Sequence, residues 1–311
     1  MDLMKCPICL GLCRPTGENY SLREIFESWQ ALGYPFSENV MKEYAGATIL
    51  RLHQCEQCGF GFFDPTILGT REFYDELSRT GSSWYYLEDK WEYQCALDDL
   101  SLGERVVDIG CGPGFFLERC RKRGLTAEGI ELNPTAAAIA RAKGFVVHEV
   151  LLGALSRTHR DAYDVVSMFQ VLEHVEDPAS TVADALACLR PGGLLIIGVP
   201  NAEGILGRMS QLPANVPPHH VTRWTPKSLA ELARRLGLES LSMKFEPCYR
   251  MLPAYIQERF FAWLPGPVRR NRLWRFVLCA PSRILNILRP QGLDSLMGHT
   301  VYCALRKGRV A

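Results

Sequence analysis

From about residue 102 onward, apolar positions fall in short β-branched runs separated by stretches with helical spacing. Arg105–Ile109 reads as a buried strand, Gly110–Gly114 as a tight turn, and Phe115 to about Arg123 as a helix stopped by Gly124. Ala127–Glu131 reads as a second strand. Asn133 then supplies an N-cap and Pro134 a first helical residue, for a helix ending at Gly144. Phe145–His148 and Tyr163–Phe169 follow as strands, Asp177-Pro178 opens a helix to about Arg190, and Leu194–Val199 is a fifth strand. A helix from Pro226 to near Gly237 and a last strand over Gly298–Lys307 complete the pattern. Alternating strands and helices predict an α/β fold with a parallel sheet covered on both faces. Such sheets bind ligands at the carboxyl ends of their strands.

The front of the chain has a different pattern. Cys6-Pro7-Ile8-Cys9 and Cys55-Glu56-Gln57-Cys58 are two C-x2-C knuckles, and each can present two thiolates to one edge of a tetrahedron. Four thiolates close a zinc site to water, so a metal there would stabilise folding without catalysing. A redox pair or accidental spacing is the alternative; Cys13 and His53 lie nearby but outside the paired spacing. Between the knuckles, Ser21-Leu22-Arg23-Glu24 reads as a capping box opening a helix to about Leu32.

Composition narrows the partners. With 35 basic and 34 acidic residues in 311, the net charge of +1 gives no global attraction for nucleic acid or membrane. Residues 1–70 hold eight acidic and five basic side chains, a poor phosphate-binding surface. No apolar run approaches the roughly 20 residues of a membrane-spanning helix, and the first residues do not read as a secretory signal. A cytoplasmic protein is expected, in which dispersed cysteines act as small core residues.

The turn after the first core strand carries candidate chemistry. It reads Asp-x-Gly-x-Gly-x-Gly from Asp108 to Gly114, unlike the dinucleotide fingerprint. Glycines let backbone N–H groups approach an anion at the next helix, or simply permit tight packing. Asp108 would repel a pyrophosphate and attract a cationic amine or sulfonium. Glu131, at the end of the second strand, is placed to accept both hydroxyls of a ribose.

Together these segments resemble class I S-adenosylmethionine-dependent methyltransferases. Val106–Gly114 is similar to their first motif, and Glu131 matches their ribose-binding acid. Phe169–Pro178 resembles their fourth-strand segment and Leu189–Gly193 the turn before strand five; Val199–Asn201 and Trp224–Leu229 also match. The knuckles, followed by Gly59–Pro65, resemble the zinc-binding front end of a bacterial subset that modifies sugars and other small metabolites. The resemblance implies a Rossmann-like seven-stranded sheet, mostly parallel with the last strand antiparallel. It also implies S-adenosylmethionine at Asp108, Gly110, Gly112, Gly114 and Glu131, and structural Zn2+ at Cys6, Cys9, Cys55 and Cys58. Gln170 either touches the methionine part of the donor or fills the sheet edge. Where many relatives hold adenine with an acid after strand three, this chain has Glu149-Val150-Leu151-Leu152, leaving adenine recognition open.

Methyl transfer from a sulfonium needs alignment more than catalytic groups, though a base helps remove a proton from the acceptor. His174, His219 and His220 sit in loops expected over the carboxyl edge, as base, acceptor ligand or loop brace. The aromatics of Trp84–Tyr86 and Trp91–Tyr93 serve a lid or ordinary packing. Residues 251–292, with seven arginines among Trp and Phe, read as a helical insertion, an acceptor lid or a peripheral membrane contact. The expected organisation is a zinc ribbon with helical insertion over 1–70 and a helical linker or lid over 71–101. A methyltransferase core over 102–250 and an Arg/aromatic-rich insertion with the final strand over 251–311 complete it. The expected function is methylation, at O or C, of a small metabolite such as a nucleotide-linked sugar or glycan. A zinc-ribbon RNA methyltransferase and a catalytically silent binding module are the alternatives.

Overall fold

The structure, a computed structural model, describes residues 4–46, 48–80, 84–204, 207, 212–247 and 297–309. The Arg/aromatic-rich stretch 251–292 lies outside them. At the front, β1 (Met4–Lys5), β2 (Leu12–Ser21), α1 (Leu22–Ala31), α2 (Glu38–Glu43), β3 (Ile49–Cys55) and β4 (Gly61–Asp64) form the ribbon and its insertion. Ser21 caps α1 by position only; its side chain makes no capping hydrogen bond, so the expected capping box is not formed. Helices α3 (Arg71–Thr80) and α4 (Trp91–Asp99) lead into the core.

The core follows as β5 (Arg105–Ile109), α5 (Phe115–Lys122), β6 (Thr126–Ile130), α6 (Pro134–Ala142), β7 (Val147–His148), α7 (Leu152–Thr158), β8 (Tyr163–Phe169), α8 (Pro178–Cys188) and β9 (Leu189–Pro200). After β10 (Thr222–Arg223) and α9 (Pro226–Arg235), β11 (Glu239–Pro247) and β12 (Met297–Arg306) close the chain. The large sheet has seven strands in the order β11-β12-β9-β8-β5-β6-β7, with β12 antiparallel to both neighbours and β5 to β9 parallel.

Local chemistry explains the core elements. Val106, Val107, Val165, Val166, Ile196 and Ile197 are fully buried, the near-continuous apolar pattern of strands covered on both faces. Asn133 Oδ1 accepts from the Thr135 and Ala136 N–H groups at 2.9 and 3.3 Å, starting α6 behind Pro134. The third core strand is shorter than expected, Val147–His148 in place of Phe145–His148, and two further differences are larger. Leu189–Gly193, read as a turn, belongs to β9, since Leu189 already pairs with Tyr163 before a register shift. The sixth strand, β11, lies where no strand was assigned; apolar Leu241, Met243 and Phe245 alternate with polar neighbours there, but as an edge strand it lacks a continuous apolar run.

Ribbon and core are knitted together. β10, from the chain after the fifth core strand, adds to the ribbon sheet, pairing Thr222 with Phe62 and Arg223 with Gly61. Phe60 and Trp224, both fully buried, meet edge to face at 4.8 Å. Thr225 Oγ1 donates to the Cys58 carbonyl at 2.9 Å while accepting from Ser228 N–H, so one hydroxyl caps α9 and ties it to the second knuckle. The insertion forms an aromatic cluster of its own: Phe26, Trp29, Phe73 and Phe63 are buried with Val216 of the loop before β10.

Candidate functional site

Strand order reverses at β5: β6 and β7 are added on one side and β8 and β9 on the other, all parallel. A crevice opens at such a switch point, and the glycine turn occupies it. Gly110, Gly112 and Gly114 all have positive φ, at 72°, 54° and 82°. A Cβ on Gly110 would meet Val171 Cγ2 at 2.9 Å, and one on Gly112 the Tyr86 ring at 2.9 Å, so both positions are closed to larger residues. The loop's N–H groups, however, are not left for an anion. Gly110 and Cys111 both donate to the Ile130 carbonyl at 2.8 and 3.0 Å, and Gly112 donates to Glu131 Oε2 at 2.8 Å. The turn is therefore a tightly packed wall, closed over by Val171 and Tyr86, rather than an anion nest.

Asp108 is buried beneath the turn and accepts from the Ser167 hydroxyl at 2.7 Å; burial pushes its carboxyl up to about 7. Glu131 holds two segments at once: Oε1 accepts from Asn133 N–H at 2.7 Å and Oε2 from Gly112 N–H. Burial raises its pKa against these hydrogen bonds. Each oxygen keeps a second lone pair for a ligand hydroxyl. Gln170 follows β8 in a left-handed conformation, φ 60°, rare outside glycine, and its amide donates to Glu92 of α4 at 3.2 Å. Glu149 is exposed and ion-paired with Arg141.

The three candidate histidines come together. Their rings pack at 4.4 to 4.9 Å between centroids, and one ring nitrogen of each lies within 4.8 Å of the others, a spacing that suits one divalent ion. The partners fix the protons of two of them. His174 Nδ1–H donates to the His219 carbonyl at 2.6 Å, and the Tyr74 hydroxyl donates to the same carbonyl at 3.2 Å. His219 Nδ1–H donates to the Ala214 carbonyl at 2.9 Å, leaving its Nε2 buried without a partner. Burial holds His174 down at about 3, His219 at about 4 and His220 well below its usual value, so all three are neutral near pH 7. His220 lines a small cleft with Pro200, Ala202, Gly207, Asn215, Thr222 and Arg223.

Sequence reasoning did not single out Glu173 or Tyr74. Glu173 is 1% exposed, both its oxygens lack hydrogen-bond partners, and it faces His174 Nε2 at 3.9 Å and His220 Nε2 at 4.0 Å. Burial pushes its pKa up to about 8, which keeps the carboxyl protonated near neutrality. The signal for Glu173 was its place beside His174; Tyr74 had none, since it arrives from α3. The aromatics divide between two jobs: Trp84 stacks on Trp29 at 6.0 Å beside His219, Tyr86 covers Gly112, and Tyr93 packs into the main core against Phe116 and Phe169.

At the front, Cys6 Sγ lies 3.6 Å from Cys58 Sγ and Cys9 Sγ 3.3 Å from Cys55 Sγ. All four sulfurs fall within 4.8 Å of one another. Sulfurs about 2.3 Å from a tetrahedral ion would stand about 3.8 Å apart, so the set fits zinc after small shifts. N–H groups of Ile8, Gly11 and Gln57 point at the sulfurs from 3.3 to 3.4 Å, the contacts a cluster of thiolates needs. Cys13 and His53 stay outside the cluster; His53 stacks on Phe62.

A sheet of this order with a glycine turn and a buried acid at its switch point defines the α/β methyltransferase class. A family model described as "Methyltransferase domain" matches residues 85–243, just over half of the chain, and the chain belongs to that family. It is 32% identical over 164 residues to a ubiquinone biosynthesis O-methyltransferase of Aromatoleum aromaticum, covering 47% of this chain and 69% of the relative. It is 34% identical to the protein of that name from Thiobacillus denitrificans, covering 44% and 66%. In fold it resembles the cyclase SpnF (19% identity, TM-score 0.53, 79% of this chain and 98% of that one). A chain of the complex between the Haloferax volcanii Trm112 methyltransferase activator and a methyltransferase is similar too (18%, TM-score 0.53, 76% and 98%). The protein is an S-adenosylmethionine-dependent methyltransferase, and no helix among the described residues is long and apolar enough to cross a membrane.

Proposed function

We propose that this enzyme methylates a hydroxyl oxygen of a small acceptor held against His220, with the donor seated on the Gly110–Gly114 turn. The observation that carries the reading is the contact between the two halves: Val171, on the turn that bears Glu173 and His174, abuts Gly110. Acceptor groups thus stand at the rim of the donor crevice. Bound S-adenosylmethionine supplies an activated methyl group on a sulfonium. Glu131 receives the ribose hydroxyls, Gly112 allows close approach, Asp108 and Gln170 provide polar groups near the methionine end, and Tyr86 covers the turn. A cation in the crevice would favour the charged form of Asp108.

His220 acts as the base. Its depressed pKa leaves a lone pair free at neutral pH, and a hydroxyl in the adjoining cleft can pass its proton to it as the oxygen attacks the methyl carbon. His174 and Tyr74 are positioning residues, because both brace the carbonyl of His219 and so fix the loop that carries His220. Cys6, Cys9, Cys55 and Cys58 hold a structural zinc ion that fixes the ribbon against α9. The names of the relatives favour oxygen over carbon and carry nothing toward a sugar or glycan. Tritiated donor offered to pools of small hydroxylated metabolites, sugar nucleotides, glycolipids and RNA tests the reading. Label in a small hydroxyl acceptor is the expected result, and label in RNA alone would contradict it.

A further inference from the structure

The cleft beside His220 contains a cation with little on the protein to neutralise it. Arg223 is 14% exposed at its side chain, and its Nε–H is buried with no hydrogen-bond partner. Its remaining contacts are long: Nη2 lies 3.4 Å from the Tyr20 hydroxyl and 3.5 Å from the Asn215 carbonyl. Among the described residues Arg223 is ion-paired only with Glu18, which is 4.0 Å from Nη1, 42% exposed, and already accepts from the Tyr20 hydroxyl. The guanidinium lies over the Phe63 ring at 5.3 Å, which orients the fork without satisfying its N–H groups. A buried guanidinium normally pairs bidentately with an oxyanion, and the cost of leaving its donors unmet is high.

Three features converge on one ligand. The cleft is lined by Arg223, Asn215, Thr222 and His220. Arg223 lies close enough to His220 for its charge to bear on that ring. The unmet groups on Arg223 are all donors. We propose that Arg223 is a specificity residue of the acceptor site, and that the methyl acceptor carries an oxyanion, a carboxylate or a phosphate, bound by Arg223 while its hydroxyl faces His220. This rests on the reading of His220 as the acceptor end of the site. It adds a requirement that reading lacks: an uncharged acceptor of the same shape should be a poor ligand.

Calorimetric titration of the full chain tests this, with and without saturating S-adenosylhomocysteine. The probes are benzoate and uridine diphosphate against their uncharged counterparts, benzamide and uridine. The expected result is that one anion binds about 10- to 100-fold more tightly than its counterpart. Arg223→Gln should abolish that preference while S-adenosylhomocysteine affinity stays within about twofold. Preference for benzoate assigns a carboxylate, and preference for uridine diphosphate a phosphate. Equal binding of charged and uncharged probes, no binding of either anion, or a preference that survives Arg223→Gln would overturn the proposal. Should Arg223→Gln melt early, Arg223→Lys, which keeps the charge and loses the fork, is read instead: a severalfold loss of anion affinity supports the proposal and no loss overturns it. Failure of the wild type to bind S-adenosylhomocysteine would strike the donor reading instead, since the anion titrations run without it as well.

Discussion

The proposed donor crevice and the proposed acceptor rim share one edge of the sheet but are assembled differently. Asp108, the three glycines and Glu131 lie on one strand, the turn after it and the residue just past the next strand. Backbone geometry holds them: Gly110 and Cys111 bond to Ile130, and Gly112 to Glu131. The acceptor rim draws on four distant segments, with Tyr74 from α3, Trp84 from the linker, Glu173 and His174 from the turn after β8, and His219 and His220 from the loop before β10. What holds them is burial and side-chain packing around a loop that the ribbon supports through β10. A site built from consecutive backbone should survive damage to the ribbon. A site built by packing should not.

Removing the ribbon's proposed metal is the most drastic way to test that contrast. Structural zinc contributes on the order of 10 kcal/mol of folding free energy to small zinc domains, and Cys58, whose carbonyl anchors Thr225 and α9, is at the joint. Chelation, or Cys58→Ser, should abolish turnover and lower the melting temperature by more than about 10 °C. Affinity for S-adenosylhomocysteine should change by no more than about threefold, as calorimetry would register. Loss of both together would mean the two sites are one cooperative unit.

A smaller lesion separates the sites by chemistry. His220→Ala should reduce kcat by about 10²- to 10⁴-fold in a methyl-transfer assay, with S-adenosylhomocysteine affinity unchanged. Gly112→Ala should do the reverse. Its φ of 54° strains any L side chain and its Cβ would strike Tyr86, so a destabilisation of about 1–2 kcal/mol and a loss of donor affinity of roughly tenfold or more are expected, measured by denaturant titration and calorimetry.

The mildest test is pH. His174, His219, His220 and His299 are held below their unfolded values by burial. Their stabilisation is therefore complete above about pH 6.5 and is lost as pH falls toward 4. Asp108 and Glu173, raised to about 7 and about 8, act in the opposite sense over roughly pH 4 to 8, and Glu131 joins them. At pH 5 the four histidines outnumber the three raised carboxyls, so the unfolded chain binds more protons and stability should rise between pH 5 and 6. A flat profile would show that the histidine cluster is open to water.

The same contrast explains what the sequence disclosed. β5 and β8 were legible to the residue because their apolar runs are continuous, and α6 because Asn133, Pro134 and Gly144 punctuate it. The glycine turn was legible because positive φ restricts which residues fit. β11 escaped because an edge strand exposes half its side chains. The convergence of His174 with the His219-His220 pair, and the pairing of Arg223 with Phe63 of the ribbon, depend on tertiary packing that no local spacing encodes. The choice between anion binding and tight packing at the glycine turn stayed open for a related reason: the Ile130 carbonyl, which accepts from Gly110 and Cys111, belongs to the neighbouring strand.

In the proposed mechanism everything depends on the crevice at the β5 switch point holding the nucleoside donor through Glu131. Calorimetric titration of wild type and Glu131→Ala with S-adenosylhomocysteine tests it most directly. One site per chain is expected in the wild type, with an affinity at least about tenfold weaker in the variant, consistent with two lost hydrogen bonds to a charged group. No binding to the wild type, or equal binding to both proteins, would contradict it.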